Sequence, residues 1–530
     1  MKRQALRRRK NTSTVPPSRT ETPHFEAGVL DEPLLAFGGH HHHIDPKTGL
    51  ALYGPYTVGD QERPPLSSVT VGIVGPRRLI FQTKEWLRTC QRAVFNEGNQ
   101  PFVYPHFPGF TRDFPFQCEL VFGDTWEEVI QDDALAAALR TPDYYERLAN
   151  VTRLYVEGIH NLKERQPNPQ VVVLPISDET LDSCSFVKRG GEFVRRRLLP
   201  EERAALRKRE VGLRFLFPEM DVSLGIEDDS PVAHHNLRRA IKAEAMAFGL
   251  PTQLILERSF KVGPNENGRR TQDPATKAWN FFTALYHKAG GHPWRLALGQ
   301  PQTCYVGISF YRERLSENPQ MRTSLAQAFT HTGDGFVLRG KPFEWDEALS
   351  RSPHLSRADA LDLMRDVLSV YERHGRGGPR RVVVHKSSRF WPDELAGFRE
   401  ALQGIAYWDL VAIERRGIQF LRQGDYPPLR GTWVRFDDDD YLLYTQGYVP
   451  YLRTYPGMRS PQPQEIVEHH GTSPMDMVLR EVLALTKLNW NSADFCVSEP
   501  ITLAFSRRVG EILAELPSTI RPQEEYRFYM

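Results

Sequence analysis

Residues 234–257 read HHNLRRAIKAEAMAFGLPTQLILE, and this stretch decides the fold. Arg238 and Lys242 lie four apart on one helix, so they project from the same face a turn apart. Gly249-Leu250-Pro251 then ends the helix. Thr252 and Gln253 open the next apolar strand, which sets an amide beside the helix tip.

The same alternation runs outward in both directions. Upstream, the helical pattern DYYERLANVTRLYVEGIHNLKERQ precedes PQVVVLPIS, a short apolar run of the kind buried in parallel sheets. Before it come a strand in SVTVGIVG, a helix near FQTKEWLRTCQRAVF and a strand in QCELVFG. Strands alternating with helices predict an α/β class with a doubly wound sheet. Residues 188–210 are strongly charged and read as a surface excursion. Residues 25–68 are punctuated by Gly and Pro with little periodicity, which predicts an extended lead-in. Within it, His40 to His43 suggest a metal cluster, but four adjacent histidines cannot all face one ion from one rigid element.

Downstream, ALYHKAGGHPW puts Lys288 just before a Gly-Gly turn, where backbone N–H groups can approach an anion closely. A second α/β unit starts near Gln302. There TCYVGISFYRE is a strand, and FVLRG reads as its hairpin partner across a TGDG turn. Helix DALDLMRDVLSVYERHG leads into RRVVVHKSSRF, a buried strand ending in a polar loop. Asp437 to Asp440 resemble a metal site, but between two strands they read as a solvated hairpin turn. The predicted divisions are a basic tail at 1–24, the lead-in at 25–68, a first unit at 69–297 and a second at 298–530.

Charge and composition bound the function. At 530 residues the chain exceeds what one core supports, and its 40% apolar and 25% charged residues describe an ordinary water-soluble protein. No apolar run is long enough to span a bilayer, and the basic start lacks the apolar core of a secretory signal. A cytoplasmic location is therefore expected. The five cysteines are scattered without a C-x-x-C pair, which indicates neither zinc nor a disulfide framework. Net charge is +2, yet residues 1–20 hold seven Lys/Arg and no acid, leaving −5 on the other 510. Any nucleic-acid site must then be a local basic pocket, because the body would repel phosphates.

A terminal phosphate wants cations plus neutral donors converging from different segments. Arg238, Lys242, Gln253 and Lys288 meet that demand, although an Arg/Lys pair at this spacing is usually a solvated helix face. Their order, with Pro251-Thr252-Gln253 and Lys288-Ala289-Gly290-Gly291, resembles the MID domain of Argonaute proteins. The resemblance implies that these four grip the 5′ phosphate of a guide strand. It also implies a Mg²⁺ ion at that phosphate, held with help from a C-terminal carboxylate at Met530.

The second unit then corresponds to a PIWI domain of RNase H-like fold, following a Rossmann-like MID domain. In such domains the first strand carries Gly-x-Asp, and a second Asp follows in an Arg-Asp-Gly turn. Here Gly307-Ile308-Ser309 and Lys386-Ser387-Ser388 stand at those places. A neutral hydroxyl holds Mg²⁺ far more weakly than a carboxylate, so Ser309 and Ser387 predict no slicing. Lys386 is expected to add positive charge beside the vacated metal position. The opposing reading places working acids elsewhere, for example at Asp334 or Asp494. Neither serine sits in a G-x-S-x-G elbow, which argues against a serine nucleophile.

EPLLAF, DPKTGLALYGP, GLPTQLILE, KAGGHPW, TGDGFVLRG, HKSSRF, YTQGYVP and ALTKLNWNSADF occur in an order that resembles the short Argonautes of bacteria. That resemblance implies a MID–PIWI protein that uses guide RNA to find single-stranded invading DNA. It further implies a partner with an APAZ region fused to an effector: a TIR or sirtuin-like NADase, or a nuclease. The infected cell would then arrest or die. Higher oligomers on activation, through the basic tail or residues 188–210, belong to the same expectation. Two rivals remain, an active metal-dependent guided nuclease and a structural subunit that never loads a guide.

Overall fold

The computed structural model describes residues 25–530, apart from 60–63, 97, 99, 114, 185, 190–191, 196–235, 261–271, 298–301, 313–320, 329–334, 344–352, 375–376, 416, 438–439, 458 and 518. For 186–189, 192–195, 312, 324–328 and 374 it describes the backbone alone. The basic tail, Asp334, most of the TGDG turn and nearly all of the charged excursion lie outside the described residues.

The first unit is a parallel sheet in the order Thr252–Leu256, Val171–Ile176, Ser68–Pro76, Glu119–Val121, with Glu127–Ile130 also pairing to Ser68–Pro76. All six side chains of Val171–Ile176 are buried, as a strand covered on both faces requires. Alternation divides them between two cores. Val171 and Val173 join the side packed by helices Arg77–Cys90 and Pro274–Lys288, whereas Val172, Leu174 and Ile176 join helices Tyr144–Lys163 and Leu237–Ala245.

The second unit centres on a nine-stranded sheet. Thr303–Arg312, Met321–Ala328 and Phe336–Phe343 form an antiparallel meander, and Arg381–Lys386 and Tyr407–Glu414 continue it in parallel beside Thr303–Arg312. Phe336–Phe343 therefore pairs with Met321–Ala328, and the direct hairpin between the TCYVGISFYRE and FVLRG strands is corrected. MRTSLAQA carries no apolar alternation strong enough to mark it as the intervening strand. On the sheet, Val306, Ile308, Val382 and Val384 face helices Arg357–His374 and Pro392–Ala401. Tyr305 and Val383 face the other way, into the same core as the first unit. One apolar cluster thus runs through both units. The indoles of Trp294 and Trp490 tie it further, donating to the carbonyls of Lys487 (2.9 Å) and Trp294 (3.1 Å).

The lead-in is not uniformly extended. Glu26–Val29 adds an edge strand to the large sheet, and Leu35–Ala36 joins His42–His43 and Arg295–Leu296 in a small one. Pro46–Tyr53 is a helix, capped by the Asp45 carboxylate accepting from Thr48 N at 2.7 Å. His41 stacks on Tyr53 and His43 accepts from the Asp45 backbone. Among the described residues no three His, Cys, Asp or Glu gather as metal ligands, and no helix is long and apolar enough to cross a membrane.

Glu32 anchors this segment. Its carboxylate meets the buried Arg430 guanidinium at 3.0 Å and the buried Lys487 ammonium at 2.6 Å. Burial alone would raise the Glu32 pKa, but the two cations together hold it below its usual 4.5. Removing one member of a buried pair leaves uncompensated charge behind. Glu32→Ala should therefore cost about 3 kcal/mol in urea unfolding. A loss within error of zero would show that Arg430 and Lys487 do not depend on it.

Candidate nucleic-acid interface

The Leu237–Ala245 helix, here the anchor helix, starts where the Asn236 side chain accepts from Arg238 N at 3.0 Å. Gly249 takes a left-handed φ of 63°, which lets the chain leave the helix and enter the Thr252–Leu256 strand within a few residues. That return brings Lys242 over the strand's start, where its ammonium donates to the Thr252 carbonyl at 3.1 Å. Lys288, at the end of the Pro274–Lys288 helix, donates to the Gln253 side-chain oxygen. Three of the four sequence-selected residues, Lys242, Gln253 and Lys288, are thus joined by direct or one-residue links. Arg238 lies a turn before Lys242 and acts electrostatically on both lysines.

Both lysines are almost fully buried, Lys242 at 2% and Lys288 at 1% exposure. Burial first, then neighbouring positive charge, holds both well below the usual lysine range. For Lys242 the neighbours are Lys288, Arg238 and Arg508; for Lys288 they are Arg238 and Arg508. Arg238 is lowered to about 10, by the surrounding protein and then by Arg508. The residue is nevertheless exposed to water, and it is charged at neutral pH.

Arg508 is the residue that the sequence reading missed. It sits on the Ile501–Leu513 helix, here the clasp helix, which packs on the anchor helix. Arg239 fastens the two, reaching Glu511 at 2.7 Å and Glu515 at 3.5 Å. The available signal was Arg508 and Glu511, three apart on one helix face, which gains meaning only once the anchor helix lies against it.

Met530 is buried in an apolar cluster with Tyr526, Phe528 and Tyr529. The tail reaches the first unit through the Gln523 amide, which donates to the Met246 carbonyl at 2.8 Å. The side chains at this place offer ammonium, guanidinium and amide groups, so a Mg²⁺ ion there would depend on anionic oxygens from elsewhere, such as the carboxylate of Met530. No carboxylate side chain pairs with Lys242, Lys288 or Arg508 among the described residues.

The strand register fixes the second site. Gly307 pairs with His385 and Ile308 with Lys386, and alternation returns Ser309 to the face of Gly307, whereas Ser387 follows the end of its strand and is exposed. A Cβ on Gly307 would lie 2.1 Å from the Thr502 carbonyl oxygen, so only glycine lets the clasp helix settle there. His385 is buried on this face with Nδ1 2.8 Å from the Thr502 hydroxyl, and burial lowers it to about 3, which keeps it neutral. Lys386 faces the opposite side, bonded to Glu394 at 2.6 Å beneath the rings of Phe310 and Phe390. The expectation that it charges the vacated metal position is therefore corrected: strand alternation turns it away. Asp409 and Glu481 are the acids along this face, and buried Arg381 binds both. Asp494 is exposed and belongs to no acidic cluster among the described residues.

The arrangement of a parallel-sheet unit followed by an RNase H-like sheet has counterparts among known proteins. No protein-family model matches the chain. Protein argonaute of Aquifex aeolicus is 23% identical over 293 residues, covering 55% of this chain and 38% of that protein. Protein argonaute of Thermus thermophilus is 30% identical over 134 residues, covering 24% and 18% respectively. Among solved structures, Clostridium butyricum Argonaute bound to a guide DNA and a 19-mer target DNA superposes with a TM-score of 0.59 at 14% identity, over 94% of this chain and 54% of that one. Drosophila Piwi superposes with a TM-score of 0.53 at 11% identity, over 95% and 56%. The fold is Argonaute-like, a MID unit followed by an RNase H-like PIWI unit. The chain spans little more than half the length of these solved structures and less than two fifths of the relatives matched by sequence.

The lowered lysines make a stability prediction. Between their depressed values and the usual 10.5, the unfolded chain binds more protons than the folded one, so ligand-free stability should rise with pH across that window. Replacing both Lys242 and Lys288 by Met should reduce that rise. Urea midpoints measured from neutral to alkaline pH give the comparison, and equal slopes in the two proteins would contradict the assignment.

Proposed function

We propose that the chain is a guide-RNA-dependent sensor of single-stranded invading DNA, which holds the phosphorylated 5′ end of its guide and does not cleave the target. The observation that carries this reading is the convergence of Lys242, Gln253 and Lys288 from three separate elements with no carboxylate among them. Such a cradle has cations and an amide to offer and no acid to answer them, which is the complement of a phosphate dianion. Sequence recognition would come from base pairing, with the protein ordering the strand's backbone.

The non-cleaving part of the proposal is supported by serines, Ser309 and Ser387, directly after the paired residues Ile308 and Lys386, and by the engagement of Asp409 and Glu481 with Arg381. A protein that binds but does not cut needs a means of reporting, and we assign that role to an APAZ-containing effector partner, with chemistry supplied by a TIR, sirtuin-like or nuclease domain. Activation would then lead to growth arrest of the invaded cell, possession of the guide being the condition for it.

Lys242→Ala with Gln253→Ala should weaken binding of a 5′-phosphorylated RNA about a hundredfold, since two bonds to a charged group are lost. Fluorescence anisotropy measures it, and unchanged affinity would refute the pocket assignment. A guide–target duplex incubated with Mg²⁺ or Mn²⁺ should remain intact. Guided cleavage would instead establish the active-nuclease rival.

A further inference from the structure

We propose that one end of the large sheet carries a pocket for a single unpaired nucleotide of a bound strand, with Phe420, Tyr426 and Tyr455 receiving its base and Arg422 and Arg459 its phosphate. The inference rests on the reading of the chain as a guide- and target-binding protein, and not on the assignment of Lys242, Gln253 and Lys288.

Two loops enclose a cavity of about 420 Å³ here, a size that holds a small organic ligand. One loop follows Tyr407–Glu414 and the other precedes Gln464–Gly471. Tyr407–Glu414 runs parallel to Arg381–Lys386, and its Glu414 pairs with Glu465 of the antiparallel strand, so both loops leave the end of the sheet at which Ser387 stands. Ligands of α/β sheets bind at the carboxyl ends of the parallel strands. The walls are fixed in place. The buried Tyr444 hydroxyl accepts from Phe420 N at 2.6 Å, and the Tyr426 ring packs on Tyr448 at 4.8 Å. The Tyr455 hydroxyl donates to the Arg459 carbonyl at 2.6 Å, and any side chain on Gly457 would collide with that hydroxyl.

The lining combines three aromatic rings with two guanidiniums. Arg422 and Arg459 are exposed, and neither is paired with a carboxylate among the described residues. No acid lines the cavity; Asp425, beside Tyr426 in the chain, is exposed and stands outside the lining. An apolar ligand would leave the guanidiniums unanswered, and a simple inorganic anion would leave the rings so. A nucleotide answers both, because its base has a π face to stack and its phosphate carries charge. A paired base is turned inward to its own duplex and cannot enter, so the occupant is unpaired.

The test moves 2-aminopurine, whose emission falls when it stacks, one position at a time through a guide RNA and a target DNA bound to the full chain, with free 2-aminopurine nucleoside 5′-monophosphate alongside. In the wild type the emission should fall at one position and not at its neighbours. An abasic nucleotide at that position should weaken binding about tenfold, and Arg422→Met with Arg459→Met should do the same. Tyr426→Leu with Tyr455→Leu should restore the emission, in protein whose melting by circular dichroism matches the wild type. No position-specific fall in the wild type overturns the inference whatever the variants do. A fall that survives the tyrosine substitutions overturns this cavity as its place. A response from the free monophosphate and from no strand position overturns the strand as its source. Wild type that shows the specific fall but no preference for 5′-phosphorylated over 5′-hydroxyl RNA overturns the Lys242–Lys288 anchor and supports this pocket, whereas wild type that binds neither strand overturns the reading on which the inference rests, and the inference with it.

Discussion

Two buried lysines, Lys242 and Lys288, bonded to neighbouring residues at the start of one strand, are the constraint around which the candidate site is organised. Burying an ammonium costs free energy, and burying a second beside it costs more. Lys242 and Lys288 are nonetheless almost completely enclosed, each answered only by neutral oxygens from Thr252 and Gln253. The surrounding fold offsets that cost. A capped helix, a left-handed Gly249, a fully buried central strand and the Arg239 ion pairs keep the two cations where they are.

The second unit meets the first through its Ile501–Leu513 helix, which packs on the anchor helix and lies so tightly over Gly307 that only backbone hydrogen fits between them. Along that face Asp409 and Glu481 are bound to Arg381. One apolar core runs from Val171 and Val173 through to Tyr305 and Val383, so the two units share a continuous packed interior.

Much of this was legible from local sequence. The VVVLPI run and the flanking helical periods declared a parallel sheet, and the resemblance to an Argonaute MID domain, more than spacing, selected Arg238, Lys242, Gln253 and Lys288, which the structure brings near one another. What escaped was long-range or alternation-dependent. Arg508 is separated from Lys242 by most of the second unit, and nothing beside it in sequence reveals its neighbours. Glu32 meets Arg430 and Lys487 across a similar gulf. Lys386 differs from His385 by one position, yet that single step places it on the opposite face of the sheet, against Glu394. The MRTSLAQA strand is polar enough to pass for a loop, and its place became clear only from pairing on both sides.

The account's central claim concerns what the recess holds in the cell, and it is tested most directly by extracting the nucleic acid bound to the unmodified protein after purification and determining its ends. The account predicts short RNA whose 5′ ends carry a phosphate, resistant to 5′-phosphate labelling until a phosphatase has removed it. Bound strands with 5′ hydroxyls, or protein free of nucleic acid under conditions where it is correctly folded, would contradict it.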